Sequence, residues 1–102
     1  MAPLSKGTME RLERLFAPSL RTEAERLLVE QCGNNLPCLE ALDAVQLERY
    51  RYAALRLSKG TLQGLRQAID LAQKDWRDLL MNADFGYDVH AHERWTGAGD
   101  DE

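Results

Sequence analysis

The sequence predicts an all-α, single-domain protein: an antiparallel bundle of about four main helices, a short C-terminal helical turn and an acidic disordered tail. Apolar residues recur at steps of three and four, and the period-two alternation typical of strands is not seen. Residues that cap and stop helices separate these periodic segments. A length of 102 residues fits one domain, which we expect to cover 1–96, with the tail at 97–102.

The first two helices are predicted from their capping residues. Thr8 is expected to cap the first helix, and Pro18 is expected to stop it. Thr22 and Glu25 form the pattern of a capping box, so we expect the second helix to begin there. Gly33 stands where a left-handed residue would end that helix.

The third helix is bounded by a second capping box and a glycine. Asp43 and Gln46 have the capping-box spacing, and Gly60 is placed to end the helix that they start. Thr61 then caps the next helix. Residues 44–58 and 62–73 therefore form two helices joined by the short turn "SKGT".

The stretch 62–83 has the clearest helical periodicity in the chain. Its inward positions are all apolar: Leu62, Leu65, Ile69, Ala72, Trp76, Leu79 and Ala83. Asp75 and Asp78 are residues that can cap a new helix at Trp76. The sequence therefore leaves open whether 62–83 is one helix or two.

The expected core follows from these apolar stripes. Its predicted members are Leu12, Phe16, Leu27, Leu28, Leu47, Tyr50, Ala54, Leu57, Leu62, Leu65, Ile69, Trp76 and Leu79. Each buried leucine of this kind contributes about 1.5–3 kcal/mol.

Charge and hydropathy limit the classes of function. The net charge is −4, with −5 carried by residues 80–102 and +1 by residues 1–79. Nucleic-acid binding needs a basic footprint, which this balance does not supply. The chain has neither an apolar run long enough to span a membrane nor a secretory h-region. We therefore expect a cytoplasmic protein whose partner is protein, itself or another.

The segment "CGNNLPC" holds the two cysteines, Cys32 and Cys38, with five residues between them. Zinc sites favour two to four intervening residues and a second pair of ligands. The available second pair, His90 and His92, has the spacing HxH rather than that of a zinc motif. A disulfide fits the geometry but not a cytosolic chain. We favour a corner between helices, flanked by two small apolar thiols.

Residues 84–93 form a second candidate cluster, which could bind a divalent metal or do acid–base chemistry. Its members are Asp84, Asp88, His90, His92 and Glu93. The alternative assigns them structural roles: Asp88 caps a short helix, His92 faces the core beside Trp95, and His90 and Glu93 face solvent. We favour the second interpretation, and expect no metal, no cofactor and no catalytic residue.

Residues 44–73 have the length of a helix-turn-helix. Its second helix would present Gln63, Arg66 and Gln67 to bases. Basic side chains of the first helix and the turn would contact phosphates: Arg49, Arg51, Arg56 and Lys59.

Aromatic residues outside the stripes are candidates for an interaction surface. Tyr50 and Tyr52 flank Arg51 but diverge on a helix, so they form no common stacking platform. Tyr50 belongs to the core stripe. We expect Tyr52 to be the more exposed of the two, and Tyr52, Tyr87 and Arg51 are the candidate interaction residues.

Two stretches, "RYAALRLSKGTLQGLRQAIDLAQKDWRDLL" and "CGNNLP", resemble small helical proteins of bacteria that have no assigned activity. The resemblance covers roughly residues 31–95. It implies a bacterial origin and an all-α fold, and it implies nothing about chemistry.

The chain contains no phosphate-binding glycine loop, nucleophile elbow or HExxH motif. The leading hypothesis is therefore a small helical protein–protein interaction module, self-associating or binding another protein, rather than an enzyme. The alternatives are a DNA-binding accessory protein that uses 44–73, and a metal-binding protein that uses 84–93. The sequence does not indicate a small-molecule ligand.

Overall fold

Helices make up the fold of residues 4–32, 44–85 and 91–95, which are the residues that the computed structural model describes. The elements are α1 (Lys6–Leu15), α2 (Pro18–Gln31), α3 (Ala44–Ser58), α4 (Leu62–Lys74), α5 (Trp76–Asn82) and a 3₁₀ helix (Ala91–Arg94). These ranges contain no strand. The all-α prediction is confirmed. Residues 97–102, the predicted tail, lie outside the described ranges.

Helix α1 begins three residues before the predicted start. Ser5 is the N-cap, and its hydroxyl accepts a hydrogen bond from the backbone N–H of Thr8 at 3.2 Å. Thr8 itself is buried, and its hydroxyl lies 2.8 Å from that of Ser5. The prediction that Thr8 caps the helix is wrong, because Thr8 lies inside the first turn and its hydroxyl contacts that of the N-cap residue.

Helix α2 also begins earlier than predicted, and the capping box at Thr22 and Glu25 is wrong. Pro18 is the first residue of α2, where its missing N–H and fixed φ suit the first helical turn. Arg21 ties the two helices together: its guanidinium donates to the carbonyls of Glu13 and Phe16 at 2.8 and 3.1 Å. The proline therefore starts one helix directly after another ends.

The turn between α3 and α4 follows the prediction closely. Lys59 and Gly60 both take left-handed backbone conformations, with φ of 52° and 82°. Thr61 caps α4 by accepting a hydrogen bond from the backbone N–H of Gly64 at 2.9 Å. The predicted end of α3 at the glycine and the predicted cap are confirmed, whereas the cap proposed at Asp43 lies outside the described residues.

The stretch 62–83 is two helices. The chain leaves α4 at Asp75, whose backbone is extended, and its carboxylate accepts from the N–H groups of Arg77 and Asp78 at 3.1 and 3.3 Å. The same residue therefore ends α4 and starts α5.

Helix α5 ends in a Schellman motif. Asp84 takes the left-handed conformation (φ 65°), and its N–H donates to the carbonyl of Met81 at 3.0 Å. The N–H of Phe85 reaches back to the carbonyl of Leu80 at 2.8 Å. This motif turns the Phe85 side chain into the core.

Helix α3 occupies the centre of the fold. It packs against α1, α4, α5 and the 3₁₀ helix. Every residue from 50 to 55 is buried, so this helix has no solvent-facing side over those turns. The surrounding helices each contribute one apolar face to the core around it.

The predicted core agrees well with the buried residues. Buried as expected are Leu12, Phe16, Leu27, Leu28, Tyr50, Ala54, Leu65, Ile69 and Leu79. Leu47, Leu57 and Leu62 are only partly buried. The Trp76 side chain lies outside the described part. Residues that the predicted core did not include, such as Tyr52 and Leu55, are buried as well.

Candidate functional site

A polar cluster joins α1, α3 and the 3₁₀ helix, and Glu48 stands at its centre. One carboxylate oxygen of Glu48 accepts from the Ser5 hydroxyl at 2.9 Å. The other lies 3.4 Å from Nε2 of His92. The phenol of Tyr52 also hydrogen-bonds to Glu48. Three segments that are distant in sequence therefore meet at one carboxylate.

His92 is completely buried in this cluster, as predicted, beside a buried Trp95. Burial lowers the pKa of His92 below its ordinary value, although the hydrogen bond to Glu48 opposes the shift. Since a carboxylate only accepts, the proton of the neutral imidazole lies on Nε2. Nδ1 of His92 and Nε1 of Trp95 are buried without a hydrogen-bond partner within the described structure.

Aromatic contacts enclose the imidazole. The ring of Tyr52 meets His92 edge to face at 5.0 Å between centroids, and Phe85 does so at 6.3 Å. The Arg11 guanidinium stacks over the Tyr52 ring at 4.3 Å, and its Nε donates to the Trp95 carbonyl at 2.7 Å. These contacts hold the 3₁₀ helix against α1 and α3.

Tyr52 and Arg51 do not lie where the sequence analysis expected. Tyr52 is only 3% exposed, so the prediction that it is the more exposed tyrosine is wrong. Burial, followed by the charge of Glu48, raises the pKa of Tyr52 to about 12, which keeps the phenol neutral. Arg51 is 2% exposed. Both side chains face the interior because α3 is enclosed on all sides.

The geometry of the cluster suits positioning rather than nucleophilic catalysis. A serine nucleophile needs a base within hydrogen-bond reach, and in a triad that base is the histidine. Here the Ser5 hydroxyl contacts the carboxylate, and His92 lies on the far side of it. The arrangement holds the 3₁₀ helix in place. The expectation that the chain is not an enzyme stays a prediction.

Three arginines of α3 bind backbone carbonyls inside the molecule. Arg51 donates to Cys32 at the end of α2, at 3.0 Å. Arg56 donates to Ala83 at 3.0 Å, and Arg49 donates to Phe85 at 2.7 Å, both just after α5. Carbonyls at helix ends lack intrahelical partners, and guanidinium groups satisfy them well.

These contacts bear on the helix-turn-helix hypothesis. The side chains proposed to contact phosphates, Arg49, Arg51 and Arg56, hold helix ends instead. On α4, Gln63, Arg66 and Gln67 are exposed as that hypothesis requires. Arg66 also pairs with Glu23 of α2 at 3.3 Å. DNA binding through 44–73 stays a prediction. The three arginines of α3 that were expected to contact phosphates bind backbone carbonyls instead.

The candidate metal ligands are only partly covered by the structure. Cys32 is buried, and the His92 side chain hydrogen-bonds to Glu48. Asp88, His90 and Cys38 lie outside the described residues, as does Tyr87. Among the residues that are described, no three His, Cys, Asp or Glu side chains come together to hold a metal ion.

The exposed side of α5 is the second candidate site. Leu79 and Leu80 face the core, while Met81 is 67% exposed and is the one large apolar side chain so exposed among the side chains that the structure describes, which do not include that of Trp76. Arg77 and Asp78, one turn before Met81, are also exposed, and Asp84 is exposed after the helix. We call Arg77, Met81 and Asp84 the α5 face.

Sequence reasoning missed both Glu48 and Met81. Glu48 partners residues more than forty positions away, which no local pattern shows. Met81 carried a usable signal, because it falls off the apolar stripe that Leu79 and Ala83 continue. An apolar residue at an outward position of an otherwise amphipathic helix is a candidate contact residue.

Comparison of the chain with models of protein families, with curated proteins and with solved structures finds no match. In the described ranges, no helix combines the length and the apolar character needed to cross a bilayer.

Proposed function

We propose that this chain is a small helical module for protein–protein interaction, and that it presents α5 to its partner. The observation that carries the proposal is the exposure of Met81 at 67% on a helix whose two leucines, Leu79 and Leu80, are buried. Methionine is enriched in interfaces, and its flexible thioether adapts to the surface that it meets.

The neighbourhood of Met81 supports the same proposal. Arg77 and Asp78 supply both signs of charge one turn away, at the rim that surrounds an apolar contact. The polar cluster at Glu48 and the arginines of α3 bind within the molecule, and they give the module a rigid body. Such a scaffold holds α5 in a fixed orientation for binding.

The test compares two variants that add the same charge to exposed helical positions. Met81→Glu changes the α5 face, and Gln67→Glu changes α4. Tagged wild type, Met81→Glu and Gln67→Glu are used to capture proteins from the cells that express the chain, and the captured proteins are quantified by mass spectrometry. We expect a stoichiometric protein partner that is lost with Met81→Glu and retained with Gln67→Glu.

Equal capture by all three proteins would contradict the role of α5. The absence of any stoichiometric protein, including a second copy of the chain itself, would contradict the function as a whole.

A further inference from the structure

We propose that residues 91–95 form a latch that acid releases from the helical bundle while the bundle itself stays folded. The latch consists of the 3₁₀ helix, Ala91–Arg94, and Trp95. Its release would expose the aromatic rings of Tyr52 and Phe85, which are buried while the latch is docked. The release is a property of the chain by itself and does not depend on the partner of α5.

The latch is a short segment that buries aromatic side chains against the bundle. His92 is fully buried, and Trp95 is 7% exposed. The centroid of the Trp95 ring lies 6.1 Å from that of Tyr52 and 6.3 Å from that of Phe85. Nε2 of His92 lies 3.4 Å from Glu48, which is long for a hydrogen bond. Ring packing and a weak polar contact therefore hold the latch against α3.

Two polar atoms of the docked latch have no hydrogen-bond partner within the described structure. They are Nδ1 of His92 and Nε1 of Trp95, and both are buried. A polar group buried without a partner destabilises the state that buries it, because water would hydrogen-bond to it elsewhere. Release of the latch would give both atoms access to water.

Nδ1 of His92 is also the atom that takes up the second proton of the imidazole, because Nε2 carries the first and donates it to Glu48. A proton on Nδ1 creates a buried cation whose N–H has no acceptor in the described part of the chain. In the released latch the same N–H would donate to water. Protonation of His92 therefore favours release.

Charged and titratable groups around the latch act in both directions. They include Glu48, Arg49 and Tyr52 of α3, Arg11 of α1, Arg56 beside the Phe85 ring, and Glu93 of the latch itself. Glu48 and Glu93 favour the imidazolium, whereas burial and the charge of Arg49 oppose it. Burial is the largest effect, and it lowers the pKa of docked His92 below its ordinary value.

The pH range of the release follows from the direction of this shift. Above pH about 6.5 the imidazole is neutral in both states, and docking is at its strongest. Between pH about 6.5 and the lowered pKa of the docked state, the released latch binds the proton first. Because one proton is taken up, the released population should increase by up to about tenfold per pH unit in this range.

Tryptophan fluorescence tests the release, because Trp95 belongs to the latch. In a Trp76→Phe background, Trp95 is the remaining one of the two tryptophans. Its quenching by acrylamide is measured between pH about 7.5 and about 5.5, with far-UV circular dichroism on the same samples. We expect quenching to increase as the pH falls, while the helical signal of the bundle is unchanged. The wild type, with both tryptophans, should show the same pH dependence.

Variants of the two hydrogen-bonded residues separate the effect of His92 from a general effect of acid. His92→Gln takes up no proton, so the quenching of Trp95 should not depend on pH. Glu48→Gln removes a group that favours the docked imidazolium, so the released population should be larger at each acidic pH. The matched control Glu25→Gln, at an exposed position of α2, should behave as wild type.

Quenching of Trp95 that does not change with pH would overturn the inference, as would the same pH dependence in His92→Gln. A helical signal that falls in parallel with the increase in quenching would also overturn it, because the whole fold rather than the latch would then open.

Discussion

Burial and a hydrogen bond have opposite effects on the pKa of His92. The side chain is fully buried against Tyr52 and Phe85. Glu48 and Glu93 favour the imidazolium, whereas burial and the charge of Arg49 oppose it, and the net effect is a lowered pKa. The folded protein therefore holds His92 as a neutral group that joins two segments.

The lowered pKa of His92 predicts a loss of stability on acidification. Above pH about 6.5 the imidazole is neutral in both states, and its contribution to stability is complete. As the pH falls toward the lowered folded pKa, the unfolded chain binds the proton first, so the free energy of unfolding decreases. Urea unfolding between pH about 7.5 and about 5.5 measures this change.

The variant His92→Gln removes the group responsible, so it should reduce the pH dependence in this window relative to wild type. The same pH dependence in wild type and His92→Gln would contradict the assignment.

Gly7 lies against the hydroxyl of Tyr52 so closely that a β-carbon would clash with it. Alanine favours a helix over glycine by about 1 kcal/mol, yet overpacking costs about 1–3 kcal/mol. We predict that Gly7→Ala lowers the free energy of unfolding in wild type. In a Tyr52→Phe background the hydroxyl is gone, so Gly7→Ala should become neutral or stabilising.

A double-mutant cycle measured by urea unfolding gives the coupling between the two positions. An equal cost of Gly7→Ala in both backgrounds would show that Tyr52 is not the obstacle.

At the scale of elements, Asp75 defines the boundary between α4 and α5. Its carboxylate accepts two backbone hydrogen bonds in the first turn of a seven-residue helix. We predict that Asp75→Ala costs about 1 kcal/mol, as loss of an N-cap does, and that Asp75→Ser costs only a few tenths. Equal losses for alanine and serine in urea unfolding would mean that the cap hydrogen bonds do not stabilise α5.

The sequence predicted those elements whose signals are local. The stripe of α4 and the Thr61 cap depend only on neighbouring residues, and the structure confirms them. The sequence left open whether 62–83 is one helix or two, and the structure shows two helices with Asp75 as the cap of the second. The starts of α1 and α2 were wrong for a different reason. Thr8 and Thr22 have capping side chains, but Ser5 and Pro18 stood earlier in the chain and also fit helix starts.

Local sequence patterns do not show which segments pack around a helix, so they did not predict which side chains of α3 are buried. Helix α3 has polar and aromatic residues on the side that an amphipathic helix would expose, and the structure buries Arg51 and Tyr52 there. Two of their partners, Cys32 and the 3₁₀ helix, come from distant segments. The burial of a polar residue on such an enclosed helix can be predicted only when the helices around it are known.

For the whole molecule, the core around α3 is the source of stability, and Ile69 of α4 belongs to it at 4% exposure. We predict that Ile69→Asp abolishes cooperative thermal unfolding, because an unpaired carboxylate cannot be buried in an apolar core. Gln67→Asp adds the same charge to an exposed position of the same helix and should melt close to wild type. An unchanged melting temperature for Ile69→Asp by circular dichroism would contradict the position of α4 in the fold.

The central claim is that a rigid helical body presents α5 to a protein partner. Hydrogen exchange followed by mass spectrometry, on the chain alone and on its complex with the captured partner, tests it most directly. We predict that amides of α5 exchange more slowly in the complex, whereas those of α1 and α2 exchange at the same rates in both samples. Exchange rates in α5 that the partner does not change would contradict the claim.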